Sequence, residues 1–296
     1  MDFSKSMNFL LEKEEKQNNT KILKPDFSQK AGREFLAFYL YSKFNQILNY
    51  DKHSESPIFQ RVKDGFLPSF TQRLIDRPDK RILIGISGES ASGKTTICNT
   101  IKQVTEQYKM PIEILSADNY FKDISGLIKK YGSFDKLLES GYDVDSPDNF
   151  CMDILYRDLK MLSEGKDVKI PEYLVNGTGV VIPEAIEKQS KKIIVVEGMA
   201  TMYGEVANLF DIKLYVDIDP EIQEKWFLYR AQTSRNQNEE NAKKQLEYVR
   251  QASKKYILPK KDNSDIIING ASSLEYFMQI IKYVYRITNN FSEPKQ

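Results

Sequence analysis

The stretch Gly85–Thr96, GISGESASGKTT, decides the fold class of this chain. Gly88, Gly93, Lys94 and Thr95 within it satisfy the pattern G-x-x-x-x-G-K-[ST]. The apolar run RILIGIS precedes the pattern, and a segment with helical periodicity follows it. The glycines allow backbone angles that aim successive amides inward, and the following helix adds its positive terminus. The sequence therefore predicts a strand, a phosphate-holding loop and a helix, in that order.

The loop residues predict a nucleoside triphosphate site. Lys94 is expected to neutralise the terminal phosphates, and the Thr95 hydroxyl is expected to bind magnesium. ATP and Mg2+ are therefore the expected cofactors. The residues expected to contact the nucleotide are Gly88, Ser90, Ala91, Ser92, Gly93, Lys94, Thr95 and Thr96.

The overall composition argues against several classes of protein. Lys and Arg total 43 against 42 for Asp and Glu, so no global field attracts nucleic acid or an anionic membrane. The apolar runs are far shorter than a bilayer span, and the amino terminus is too charged for a secretory signal, so we expect a cytoplasmic protein. Two cysteines, Cys98 and Cys151, and the single histidine His53 argue against a disulfide framework and a zinc site.

The pattern along the chain predicts three parts. Residues 1–30 form a polar tail, residues 31–80 a helical appendage, and residues 81–296 the domain that carries the phosphate loop. One appendage helix is expected from Ala31 and a second around residues 58–67, where Ile58, Val62 and Phe66 recur. The aromatic face of the first helix is expected to pack onto the main domain; the alternative is a surface for a homo-oligomer or another partner.

The main domain alternates short β-branched runs with longer helical segments. The runs are RILIGIS, IEILSAD, KKIIVVEG, DIKLYVDID and SDIIING, and helical periodicity covers residues 95–108 and 221–256. This alternation predicts an α/β fold with a mostly parallel sheet covered by helices on both faces.

Two carboxylates follow predicted strands. The carboxyl ends of parallel strands border the ligand crevice, so Asp118, in SADNYFKD, and Glu197, in VVEG, are expected near the transferable phosphate. Asp118 could accept or orient a hydroxyl proton, and Glu197 could hold magnesium. The alternatives are a turn-capping Asp118 and a solvated Glu197. The sequence contains no N-K-x-D motif, which argues against a guanine-nucleotide switch.

Five segments together resemble the uridine kinase and phosphoribulokinase family of P-loop small-molecule kinases, with uridine kinases the nearer branch. They are GISGESASGKTT, SADNYFKD, VDSPDNF, EGMATMYGEVANLFDIKLYVDID and LPKKDNSDIIING. They occur in the family's order, and the match covers about residues 81–270. The resemblance implies a P-loop kinase domain with five parallel strands, an inserted substrate region and an arginine-bearing lid.

The resemblance also implies roles for individual residues. Asp118 matches the position of the catalytic base. Thr95 and Glu197 match the positions on the side of the site where the family binds magnesium. Asp145, in VDSPDNF, matches the acid that contacts the sugar hydroxyls, and Tyr173, in IPEYLVNGTG, matches an aromatic that stacks near the base. A half-buried core tyrosine is the alternative for Tyr173.

The lid and the base-reading segment follow the family less closely. Arg230 and Arg235 match arginines that contact the transferring phosphate, although two surface arginines at this spacing are ordinary. Gln237 stands where uridine kinases tend to have another arginine. Thr178 stands at about the position of a histidine that helps read the pyrimidine, so we expect uridine to be a weaker substrate than for ordinary uridine kinases.

These observations together predict an ATP- and magnesium-dependent kinase that phosphorylates a hydroxyl of a small molecule, most simply a nucleoside such as uridine. One alternative is a kinase of another small alcohol, such as a sugar phosphate, glycerate or pantothenate. The other is a non-catalytic nucleotide-binding regulator whose amino-terminal helices bind a partner.

Overall fold

The computed structural model describes residues 26, 28–77, 80–107, 109, 112–234, 237–275, 277–279 and 282. The predicted polar tail lies, apart from residue 26 and residues 28–30, outside the described residues. The chain divides into two compact units, one of residues 1–79, 99–110 and 272–296 and one of residues 80–98 and 111–271. The second unit carries the phosphate loop.

The described part of the first unit contains helix α1 (Lys30–Lys52), strand β1 (Phe59–Val62) and helix α2 (Phe66–Asp76). The carboxylate of Asp51, near the end of α1, accepts hydrogen bonds from the amides of Ile58 at 2.9 Å and Phe59 at 2.8 Å. These bonds fix the start of an extended segment, and α2 begins only after Gly65, whose φ is 74°. The prediction of a helix over residues 58–67 was therefore wrong for its first half.

The second unit is built on a parallel sheet. Its strands are β2 (Ile82–Gly88), β3 (Ile112–Ser116), β6 (Ile193–Glu197), β7 (Ile212–Asp217) and β8 (Ile266–Asn269), and a separate pair is formed by β4 (Val168–Tyr173) and β5 (Val181–Lys188). All four pairings among the five sheet strands are parallel. The order of these five strands is β8-β7-β2-β6-β3, and the sheet as a whole has six strands rather than the predicted five. The α/β class with a mostly parallel sheet flanked by helices is confirmed.

The further helices are α3 (Lys94–Gln107), α4 (Ser125–Tyr131), α5 (Phe134–Glu139), α6 (Met152–Ser163), α7 (Pro220–Ser234) and α8 (Glu239–Tyr256). The helical segment predicted over residues 221–256 is therefore two helices. The Asn238 side chain accepts a hydrogen bond from the amide of Asn241 at 2.8 Å, so it caps α8 and starts a new helix there. No helix within the described ranges is long and apolar enough to cross a bilayer.

The core of the second unit lies between the sheet and α6. Leu155, Leu159 and Leu162 of α6 are fully buried with the sheet residues Leu83 and Ile194. The antiparallel hairpin β4–β5 joins this core through Val168 and Ile170. The sequence patterns did not predict this hairpin, which carries Tyr173 at the end of β4.

Candidate active site

The phosphate loop connects β2 to α3 and is held by close backbone contacts. Gly88 and Gly93 have φ angles of 148° and 97°, which side chains disfavour. A Cβ atom on Gly88 would lie 2.4 Å from the carbonyl oxygen of Val216, and one on Gly270 would lie 1.9 Å from that of Ser92. The ends of β7 and β8 therefore fix the course of the loop.

Lys94 is the first residue of α3, and its side chain reaches back into the loop. Its Nζ donates hydrogen bonds to the carbonyl oxygens of Gly88 at 2.8 Å and Glu89 at 2.7 Å. Burial lowers the pKa of Lys94, and the negative charges of Glu197 and Asp118 oppose this shift. The loop thus presents a cation next to two carboxylates.

The other residues predicted to contact the nucleotide lie in different surroundings. Thr95 and Thr96 are exposed on the first turn of α3. Ser92 Oγ is buried and has no hydrogen-bond partner among the described residues. Ala91 adopts a left-handed backbone with a φ of 59°. The eight residues predicted to contact the nucleotide therefore lie on one continuous loop and the first turn of its helix.

Asp118 follows β3, within the short 3-10 turn Ala117–Tyr120. The turn is capped by Ser116, whose Oγ accepts a hydrogen bond from the Asp118 amide at 3.3 Å, so capping does not occupy the Asp118 carboxylate. Asp118 Oδ1 is buried without a hydrogen-bond partner among the described residues. Burial raises the pKa of Asp118 to about 7, with further contributions from the negative charges of Glu197 and Asp145.

Glu197 ends β6 beside this carboxylate. The strand register places Glu197 opposite Ser116 of β3 and Ile86 of β2. Gly198 follows with a φ of 132°, and a Cβ atom there would lie 3.0 Å from Asp118 Oδ1. The sharp exit of β6 therefore needs glycine and brings its last acid next to Asp118.

A cavity of about 990 Å³ opens next to this cluster. Among the residues that line it are Ser90, Asp118, Asp143, Asp145 and Tyr173. Burial raises the pKa of Asp145 to about 6, with a further contribution from the charge of Asp143. The cavity therefore extends from the phosphate loop to a second pair of acids, Asp143 and Asp145.

Tyr173 lies on an aromatic wall of the cavity. Its ring centroid is 5.3 Å from that of Phe121, which is 4.1 Å from that of Phe150. Its amide donates to Asn119 Oδ1 at 3.2 Å, which ties β4 to the residue after Asp118. Asn119 was missed from the sequence, although its place directly after a strand-end acid is a usable signal.

Helix α7, which carries the segment predicted to form a lid, contacts the phosphate loop. Arg230 Nη2 donates to Ser90 Oγ at 3.0 Å, and Gln223 Nε2 donates to the Ser90 carbonyl oxygen at 3.1 Å. The ring of Trp226 lies beside the loop, with Cζ3 3.5 Å from the position that a Cβ atom would take on Gly93. Arg235, the second predicted lid arginine, lies outside the described residues.

Gln237 and Thr178, the two positions that depart from the family pattern, differ in whether they line the cavity. Gln237 lines the cavity, and its Oε1 is buried without a hydrogen-bond partner within the described chain. Thr178 is exposed, and its hydroxyl donates to Asn176 Oδ1 at 2.5 Å. Asn176 lines the cavity, whereas Thr178 does not.

Comparisons with known proteins find similarities in sequence and in fold. The model of the Phosphoribulokinase / Uridine kinase family matches residues 83–275. A uridine kinase of Staphylococcus aureus (strain JH9) is 34% identical over 202 residues, which cover 67% of this chain and 92% of that protein. Among solved structures, phosphoribulokinase from Rhodobacter spheroides is 15% identical with a TM-score of 0.48, covering 64% of this chain and 70% of that one. D-glycerate 3-kinase from Cryptococcus neoformans var. grubii is 11% identical with a TM-score of 0.46, covering 71% and 94%.

Proposed function

Because this chain belongs to the phosphoribulokinase and uridine kinase family, we propose that it transfers the terminal phosphate of ATP to a hydroxyl of a nucleoside. The family is one of small-molecule kinases with a P-loop, so the coarse reaction follows from membership. The nucleoside acceptor, with uridine as the first candidate, is the finer part of the proposal.

The observation that carries the proposal is the position of Asp118. Asp118 lines the cavity beside the phosphate loop, and its Oδ1 is buried without a hydrogen-bond partner among the described residues. A pKa raised to about 7 suits a general base near neutral pH. Asp118 accepts the proton of the acceptor hydroxyl as the hydroxyl oxygen bonds to phosphorus and the bond to the ADP oxygen breaks.

The cationic groups of the loop and lid stabilise the charge that develops during transfer. Lys94 lies within the loop, and Arg230 reaches Ser90 from α7. Fixed donors of this kind stabilise charge that spreads over phosphoryl oxygens. Arg235 is proposed for the same task from its place in the sequence.

Thr95 and Glu197 are proposed to hold magnesium. The described residues contain no group of three or more His, Cys, Asp or Glu side chains arranged to hold a metal alone. Two protein oxygens suit Mg2+, which usually takes one or two carboxylates together with substrate phosphates and water. When bound, the ion neutralises charge on the phosphates.

The cavity favours a neutral acceptor over an anionic one. Four carboxylates line it, at Asp118, Asp135, Asp143 and Asp145, against the two lysines Lys122 and Lys255, of which Lys255 is paired with Asp143. An acceptor that carries a phosphate or a carboxylate would be repelled by this excess of acids over lysines. This argues for a nucleoside and against a sugar phosphate, glycerate or pantothenate. Asp145 is proposed to bind sugar hydroxyls, and Tyr173 to stack on the base.

Base recognition is the part where we propose a departure from ordinary uridine kinases. Thr178 faces solvent and bonds Asn176, so it is a poor replacement for a buried base-reading histidine. Asn176 and Gln237 line the cavity and are the proposed polar contacts. Losing a buried hydrogen bond typically costs about 1–3 kcal/mol, so we expect uridine to bind weakly.

One screen tests the proposal. Purified protein, ATP and magnesium are incubated with nucleosides, sugar phosphates, glycerate and pantothenate, and the phosphorylated products are measured by mass spectrometry, with Asp118→Asn as the control. A nucleoside 5′-phosphate from the wild type alone supports the proposal. Phosphorylation of an anionic alcohol instead contradicts the acceptor class, and slow ATP turnover that no acceptor changes favours a regulator. A micromolar KM for uridine with turnover of about 10 per second or more contradicts weakened base recognition.

A further inference from the structure

The loop that carries Asp145 is tied to the last turn of α8 through Asp143. The Tyr256 hydroxyl donates a hydrogen bond to Asp143 Oδ2 at 2.6 Å. Lys255 Nζ lies 3.1 Å from the same oxygen. Asp143 is two residues before Asp145, so one carboxylate oxygen links α8 to the acceptor side of the cavity.

The remaining contacts of this loop are mostly local. Asn149 Nδ2 donates to the carbonyl oxygens of Asp143 at 2.6 Å and Val144 at 3.2 Å. These bonds shape residues 142–149 but do not anchor the segment to the rest of the domain. Two further bonds tie the segment to the domain: the Lys122 amide donates to the Asn149 carbonyl oxygen at 2.7 Å, and the Tyr203 hydroxyl donates to the Asp145 carbonyl oxygen at 3.4 Å. The contact to α8 is the attachment made at Asp143, in the part of the loop that precedes Asp145.

Tyr256 contributes more to this contact than Lys255. The side chain of Lys255 is 65% exposed and that of Asp143 is 35% exposed, and exposed ion pairs contribute little. The ring of Tyr256 is partly buried and packs against both apolar clusters of the second unit, so its hydroxyl is held in place. A hydrogen bond to an ionised carboxylate is also stronger than a neutral one. Lys255 Nζ lies 4.6 Å from the centre of the Tyr256 ring and adds charge to the same contact.

We propose that Tyr256 is a positioning residue for acceptor binding: its hydroxyl, assisted by Lys255, holds Asp143 and thereby places Asp145 in the cavity. The inference rests on the proposed function, because Asp145 is taken to bind the acceptor hydroxyls. The same helix also contacts the phosphate loop, which is the side of the site proposed to bind the phosphate donor. Ser253 Oγ donates to Glu89 Oε1 of the phosphate loop at 2.6 Å, so α8 holds donor and acceptor sides through different residues.

The test compares Tyr256→Phe with wild type in the full chain. The substitution removes the hydroxyl and keeps the ring, so the core packing remains. We expect amide hydrogen exchange in residues 140–146 to rise at least fivefold, the KM for uridine to rise about tenfold, and the KM for ATP to stay within twofold. Tyr131→Phe, which changes a partly exposed tyrosine outside the cavity lining, is the matched control. Ser253→Ala should show the opposite pattern, with the KM for ATP raised more than that for uridine.

A second variant, Asp143→Asn, probes the other side of the contact. If Tyr256 acts through Asp143, the KM for uridine of the double variant should not exceed that of the more damaging single variant. Unchanged exchange in residues 140–146 of Tyr256→Phe would overturn the inference. Faster exchange with an unchanged KM for uridine would also overturn the positioning role. A wild type that does not phosphorylate uridine contradicts the proposed acceptor instead, and the exchange comparison then decides by itself whether Tyr256 holds the loop.

Discussion

At the scale of single residues, Asp118 is the group on which the proposed chemistry depends. Asp118→Asn keeps the size of the side chain and removes the base. Because positioned general bases contribute about 10²- to 10⁴-fold, we expect turnover to fall by about two orders of magnitude or more. ATP affinity should change little, which fluorescence or calorimetric titration can check. Turnover near that of the wild type would remove Asp118 from the mechanism.

The pKa of Asp118 predicts a pH dependence of the activity. The base must be deprotonated to accept the hydroxyl proton, and its pKa is raised to about 7, chiefly by burial. The value of kcat/KM should therefore decline about tenfold per pH unit below about pH 7. A profile that stays flat from pH 5 to pH 8 would contradict this assignment.

The same pKa predicts an effect on stability. The folded protein binds the Asp118 proton more tightly than the unfolded chain, because the folded pKa of about 7 exceeds the ordinary value of 3.8. Stability is therefore lost as the pH rises from about 4 to about 7. Asp118→Asn lacks this loss, so its free energy of unfolding should exceed that of the wild type at pH 8. The difference should vanish near pH 4, and urea unfolding at the two pH values measures it.

At the scale of elements, the exit of β8 supports the phosphate loop. A Cβ atom on Gly270 would lie 1.9 Å from the Ser92 carbonyl oxygen. Gly270→Ala must therefore displace the loop, and we expect ATP affinity to fall at least tenfold. Gly126→Ala in α4 is the control, because its Cβ would meet nothing within 4 Å. Equal ATP affinity in both variants would show that this contact does not shape the site.

The elements that can be predicted from the sequence are those with a pattern among neighbouring residues. The five parallel strands appear as short β-branched runs, and the strand-end rule brought Asp118 and Glu197 to the same edge. The strand β1 was missed because Ile58, Val62 and Phe66 recur at helical spacing. The hairpin β4–β5 was missed because Pro171 and a register shift interrupt its pattern. The contact between Tyr256 and Asp143 joins residues 113 positions apart, and no local pattern indicates such a pair.

At the scale of the whole molecule, nucleotide binding should stabilise the fold. A ligand that binds only the folded state at 100 times its Kd adds about 2.7 kcal/mol to the free energy of unfolding. We expect ATP with magnesium to raise the melting temperature of the wild type accordingly. In Lys94→Ala the rise should be largely lost, because the cation for the terminal phosphates is gone. An equal rise in both proteins would show that the loop does not hold the nucleotide as proposed.

The position of Trp226 gives the protein a built-in optical reporter. The chain has a single tryptophan, and its ring lies against the phosphate loop at Gly93. Its emission therefore comes from one environment, next to the place where nucleotide is proposed to bind. ATP should change the intensity or wavelength of that emission in proportion to occupancy, so binding to wild type and variants can be followed without a label or an acceptor. This separates nucleotide affinity from catalysis in a protein whose acceptor is still to be identified.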